Sequence, residues 1–297
     1  MDQYVQRIEG YLNQKHGDAP ISKYAESVVA PISAQAQQSA NDIRFDQFWD
    51  AVTLVVKRLT SDDTTKNDRL AALAKAIKDL GILVANGQPV KTDLGTAWTD
   101  LPYLGAQMRE AWNTAPPRSS TEQWTNLNGF AARLTANEAS DFSLYAIWTF
   151  RDALETQRPF SERQSAEGDA QPKDDAEVSV DELLPAALQW LEYAGDELVA
   201  LTVRSQAYTK PGQSSPDPGH LGKLAKDNGI VKGGYSIRRW RFWKKRLEEI
   251  SQAKDDAGGR EKIAKLAYQG LARMNEIDHE VMVMNEDMDG LHGAVPA

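Results

Sequence analysis

The sequence predicts an all-α protein: roughly ten helices in an irregular α-α array or bundle, interrupted by a long acidic loop. Three observations carry this. Apolar residues recur at the helical period along nearly every ordered stretch. Extended alternation of β-branched residues, with Asn-Gly or Asp-Gly hairpin turns between such runs, is missing. Capping boxes or prolines stand where several of the periodic runs begin.

The first stripe is Val5, Ile8 and Leu12, on a helix expected to stop at Gly17. Pro20 opens a second helix through Tyr24, Val28 and Ile32. Phe45, Phe48, Trp49, Val52, Val55, Val56 and Leu59 mark a third, and Leu70, Leu73, Ile77 and Leu80 a fourth. An irregular stretch with Gly87, Pro89 and Gly95 leads to the stripe Leu101, Leu104, Met108 and Trp112, closed by Pro116 and Pro117. Ser120 with Gln123 reads as a capping box for the next helix, and Ser140 or Asp141 as the cap of the one after it. Ser179 with Glu182 opens a long helix through Leu184, Leu188, Leu191, Leu198 and Leu201. A short helix near Leu221–Lys226 follows. Ser236 caps a basic helix, and a last one runs from Glu261 to about Met284.

Composition divides the chain at the stretch after Pro159. Residues 1–158 form an N-terminal helical block, 159–178 an acidic loop, 179–286 a second helical block packed on the first, and 287–297 a frayed tail. Between Ser161 and Glu182 stand eight acidic and two basic residues, so this segment supplies −6 of the net charge of −9. Its polarity predicts a mobile loop whose 161–176 portion can be removed.

The negative balance argues against nucleic-acid binding, and no run of about 18 apolar residues is present to span a membrane. Cysteine is absent, which excludes disulfides, thiolate metal sites and a cysteine nucleophile. The N-terminus lacks the basic-then-apolar order of a secretory signal, so the expected compartment is the cytoplasm. Eight tryptophans predict thick aromatic packing between helices.

No P-loop, dinucleotide turn, nucleophile elbow or zinc-protease helix is present, so no catalytic residue can be assigned and no metal or cofactor is expected. Asp62-Asp63 lies at a helix end and lacks a second metal motif, so it reads as a cap and turn rather than a diphosphate site. Glu276 and His279 have the spacing of a carboxylate-bridged metal helix, but no second copy exists outside the Asp217–His220 loop. The run Asn285–Asp289 reads as a solvated tail.

The residues that stand out are charges set in apolar faces. Trp124, Leu127, Phe130, Ala131 and Leu134 make one stripe, with Arg133 beside it. Leu144, Ile147, Trp148, Arg151 and Glu155 make another, with Asp152 adjacent. A desolvated charge there needs a partner, so the cluster is either a buried ion-pair network or the wall of a ligand site. Arg151 is expected to be largely buried. Later, Trp240, Trp243, Leu247 and Ile250 share a helix face surrounded by Arg238, Arg239, Arg241, Lys244, Lys245 and Arg246. A core helix with a solvated basic face is the simpler reading, an anion-binding face the sharper one. The ligand-binding candidates are therefore Trp124, Arg133, Trp148, Arg151, Asp152, Glu155, Arg239 and Lys245.

Three segments, LPYLGAQMREAW, the run from Trp124 through YAIWTFRDALE, and SIRRWRFWKKRL, resemble an uncharacterised fungal helical family known as a domain of unknown function. That resemblance implies a helical, intracellular fungal protein and transfers no catalytic residue. Two functional readings remain from the residues. One is a helical binding or regulatory protein acting through a protein partner or a small anionic ligand. The other is an enzyme or carrier for a small, partly apolar anionic metabolite held between Trp-rich helices.

Overall fold

A computed structural model describes residues 1–14, 19–39, 43–160, 178–209, 216–253 and 261–278. The acidic segment 161–176, the end of the last predicted helix and the tail, with His279 and Asn285–Asp289, lie outside the described residues, as does Gly17. The all-α prediction holds. Eleven α-helices are present among the described residues, beside two minimal strand pairs. The chain forms two compact units, residues 1–141 and 142–297. The boundary precedes the Trp148 helix, whereas composition alone placed the division at the acidic stretch.

The first unit holds α1 (Asp2–Leu12), α2 (Ile21–Gln38), α3 (Phe45–Arg58), α4 (Thr64–Asp79), α5 (Leu104–Trp112) and α6 (Thr121–Ala136). Helix α3 is its centre, packed by α1, α5 and α6, while α4 bridges α2 and α6. The seven-residue apolar stripe expected for α3 explains this position. Phe48 meets Tyr4 edge-on at 5.5 Å, and Phe45 meets Trp98 edge-on at 5.3 Å. The Asp63 carboxylate caps α4 by accepting from the Lys66 backbone N–H at 3.0 Å, so the Asp62-Asp63 pair is a cap and turn. Ser120 and Gln123 close the expected capping box on α6.

The irregular stretch between α4 and α5 holds the two strand pairs. Val84–Ala85 (β1) pairs with Gln88–Pro89 (β2), and Lys91–Thr92 (β3) with Gly95–Thr96 (β4), both antiparallel. Asn86 (φ 51°) and Gly87 (φ 77°) form the turn between the first two, an Asn-Gly hairpin between two-residue strands rather than between extended alternating runs. With flanks of two residues each, no alternating pattern exists to announce it.

The second unit holds α7 (Ser143–Phe150), α8 (Val180–Val203), α9 (Lys223–Asp227), α10 (Ile237–Gln252) and α11 (Glu261–Ile277). Helix α11 packs along both α10 and α8. Trp190, Trp240 and Trp243 are fully buried, so the tryptophan-rich face of α10 is core. Glu182 reaches back to Ser179 at the start of α8 and Ser236 caps α10, both as expected. Helix α7 starts later than expected: its N-cap position is Phe142 rather than Ser140 or Asp141. It runs on directly into a single π-helical turn, Arg151–Glu155.

Candidate functional site

That π turn positions the charged residues of the second unit. Its i→i+5 bonding widens the helix by one residue, and such turns recur at functional sites. The widened turn also carries Glu155 off the face shared by Arg151 four residues earlier, so the Arg151–Glu155 pair suggested by the spacing does not form. Glu155 points into the core instead. It is fully buried, and so is Arg239 from the first turn of α10.

Around this pair every polar atom is used. Glu155 Oε1 accepts from Arg239 Nε at 2.6 Å and from Trp243 Nε1 at 2.7 Å. Its Oε2 accepts from Arg239 Nη2 at 3.0 Å and from the Gly222 N–H at 2.7 Å. The remaining three guanidinium protons go to the carbonyls of His220 (3.2 Å), Gly219 (2.8 Å) and Gly234 (2.9 Å). Five donors meet five acceptors, the full capacity of an arginine. The guanidinium also lies 5.4 Å from the centre of the Trp243 ring. Gly222 is required there, because a Cβ would stand 2.6 Å from the Glu155 Cβ and 2.7 Å from its carbonyl oxygen. This is a saturated structural pair that ties the π turn, the 217–222 loop and α10 together. Of the arginines expected to be solvated on α10, Arg239 is the one that the fold takes inside.

Beside this pair lies a rim in which some polar atoms have no partner among the described residues. Trp148 donates from Nε1 to the Pro218 carbonyl at 2.7 Å, leaving the indole half-buried. Arg151, with 18% of its side chain exposed, places Nε 3.2 Å from Asp152 Oδ1 and Nη1 3.0 Å from His220 Nε2. His220 Nδ1 lies 3.0 Å from the Asp217 carbonyl, which fits the tautomer with the proton on Nδ1 and Nε2 accepting from Arg151. Asp152 keeps 40% of its side chain exposed. Crowding by protein nevertheless pushes its carboxyl above the usual carboxylate value, since desolvation outweighs the opposing pull of Arg151 and Arg158. A carboxyl both reachable and desolvated is recessed rather than projecting.

The other candidates are placed differently. Trp124 and Arg133 belong to the first unit. Trp124 is buried against Trp112 at 4.5 Å, and Arg133 meets Asp68 at 2.6 Å and the Gly129 carbonyl at 3.1 Å. Lys245 is exposed on α10, 3.7 Å from Glu249. The structure thus groups Trp148, Arg151, Asp152, Glu155 and Arg239, and leaves Trp124, Arg133 and Lys245 outside the group. The sequence reading missed His220 and the loop glycines as parts of it. Five glycines between 216 and 236 were the available signal, since such density marks close backbone approach. Among the described residues no group of three or more His, Asp or Glu side chains could hold a metal ion, and no helix is long and apolar enough to cross a membrane.

A family model described as a protein of unknown function (DUF3632) matches residues 49–247, a span that contains all eight candidates. The chain is also similar to the oxopyrrolidines biosynthesis cluster protein G of Penicillium oxalicum (strain 114-2 / CGMCC 5302), with 31% identity over 188 residues. That match covers 61% of this chain and 50% of the relative, so the chain spans about half the length of the curated relative it matches. No solved structure matches.

Proposed function

The chain belongs to the family described as a protein of unknown function (DUF3632), and we propose that it is a helical binding protein whose second unit seats a small, partly apolar ligand on the rim of Trp148, Arg151, Asp152 and His220. The observation that carries this reading is the contrast between the two arginines. Arg239 has spent all five donors inside the protein, whereas Arg151 Nη2 makes no bond among the described residues and its side chain stays in reach of solvent. A guanidinium with an open N–H beside a half-buried indole offers a ligand oxygen one charge-assisted bond and its apolar part a flat surface. Arg151 by itself would suit an anion, and the Asp152 carboxyl beside it narrows that choice. The name of the Penicillium relative places that protein with a cluster making a small oxygenated heterocycle, and this supports a small-molecule setting for the chain.

A thermal-shift screen of metabolites on the full chain tests the reading, because a ligand that binds the native state alone must raise its melting temperature. Arg151→Met should cost only about 1 kcal/mol, the worth of a partly exposed pair, and should abolish the shift from any hit. A variant that unfolds, or one that responds to every hit as the parent does, ends the proposal.

An enzyme or carrier is the second reading, favoured by the raised Asp152 carboxyl beside Arg151 and His220, since such carboxyls serve as acids and bases. It requires turnover that Asp152→Asn removes while binding survives. A protein-partner reading would instead use the exposed Arg238, Arg241 and Lys245 edge of α10.

A further inference from the structure

Arg151 and Asp152 touch through one atom each, Nε and Oδ1. Arg151 turns Nη1 to His220, and neither Arg151 Nη2 nor Asp152 Oδ2 has a partner among the described residues. Each open atom is two covalent bonds from its closed neighbour. An unspent donor and an unspent acceptor therefore flank the same Arg151–Asp152 contact. We infer that this contact recognises a planar amide with a free cis N–H, a primary amide or a small lactam, taking its carbonyl oxygen on Arg151 Nη2 and its N–H on Asp152 Oδ2. The inference rests on the small-ligand reading of the rim.

The competing ligand is a carboxylate, and charge and valence decide against it. A carboxylate brings two acceptors and no donor. One oxygen would suit Arg151, but the other would face Asp152 Oδ2 as a like charge. An amide offers one acceptor and one donor in a single plane and leaves neither open atom without a partner. Trp148, one helical turn before Arg151, keeps its indole fixed by the Pro218 carbonyl and so offers a ring face to a flat apolar substituent. Arg158 adds a second positive group near Asp152, opposing the crowding that raises the carboxyl.

Three probes of nearly equal size separate the cases: benzamide, benzoate and N,N-dimethylbenzamide, titrated into the full chain at pH 7 and followed by ligand-observed NMR. Benzamide should bind at least tenfold tighter than the other two, and Asp152→Ala should reverse the order of benzamide and benzoate. Asp152 keeps 40% of its side chain exposed and its ionisation is not stabilising, so this variant should fold; Asp152→Asn, which keeps the volume, serves if it does not and should at least erase the preference. Benzoate tighter than benzamide, with binding lost in Arg151→Met, would overturn the amide assignment and leave the rim as an anion seat. Dimethylbenzamide equal to benzamide would show that the N–H is not read and would also overturn it. Failure of all three probes to bind would sink the seat itself.

Discussion

Replacing Arg239 by Met is the sharpest test of the buried pair. Methionine approximates the length of the arginine stem, so the change removes charge and donors with little loss of packing. It leaves Glu155, fully buried, with only Trp243 Nε1 and the Gly222 N–H, and strips the His220 and Gly234 carbonyls of the Arg239 donor, while the Gly219 carbonyl keeps the Gly234 N–H at 2.9 Å. Stranding one member of a buried pair costs about 3–5 kcal/mol, and the two carbonyls left without the arginine push the result toward the upper end. For a unit of this size each kcal/mol moves the melting temperature by about 2–4 °C, so the loss should be on the order of 6–20 °C. Urea unfolding followed by tryptophan fluorescence and calorimetry would measure it. The double variant with Glu155→Leu should be less destabilised than the sum of the two singles, by about 0.5–3 kcal/mol. Arg239→Lys should also destabilise, because one ammonium cannot meet five acceptors in a fixed fork. If Arg239→Met lost less than about 1 kcal/mol, the pair would not be the staple described.

Trp240→Ala and Trp243→Ala should each cost about 3–5 kcal/mol in denaturant titrations, with Trp243 the worse because its Nε1 also serves Glu155; near-neutral values would return α10 to the surface. Asp152→Asn should be neutral or slightly stabilising at pH 7. The folded carboxyl lies above its unfolded value, so its ionisation weakens the fold. Parent and variant should therefore converge as the pH falls through that raised value toward 3.8, as read by thermal melts. Asp63→Ala should cost about 1 kcal/mol by removing the cap of α4. That carboxyl is held low first by the Lys66 backbone N–H, so the cap's contribution is present above pH 3.8 and lost as the pH drops through the depressed value.

The helices were legible because their signals are local. The α3 stripe, the Ser120, Ser179 and Ser236 starts and the aromatic face of α10 depend on residues within a turn or two of each other. The Asn86-Gly87 hairpin was hidden for the same reason, since its strands are too short to show a period. In the charged cluster, sequence spacing singled out Arg133, Arg151, Asp152 and Glu155 as charges that need partners where desolvated, and of these Glu155 is fully buried and paired with Arg239.

Which partners they take was beyond its reach. Glu155 meets Arg239 across 84 residues, Gly222 across 67 and Trp243 across 88, and the π turn that breaks the Arg151–Glu155 register leaves no mark in composition. Sequence by itself determined the helical class, the caps and the faces to be buried, because those follow from the period of apolar residues and from short-range hydrogen bonding. Only the tertiary structure decided which arginine is consumed in the core and which keeps a donor without a partner among the described residues. That choice depends on how many acceptors reach each guanidinium once distant loops close over it, and no local pattern records that number.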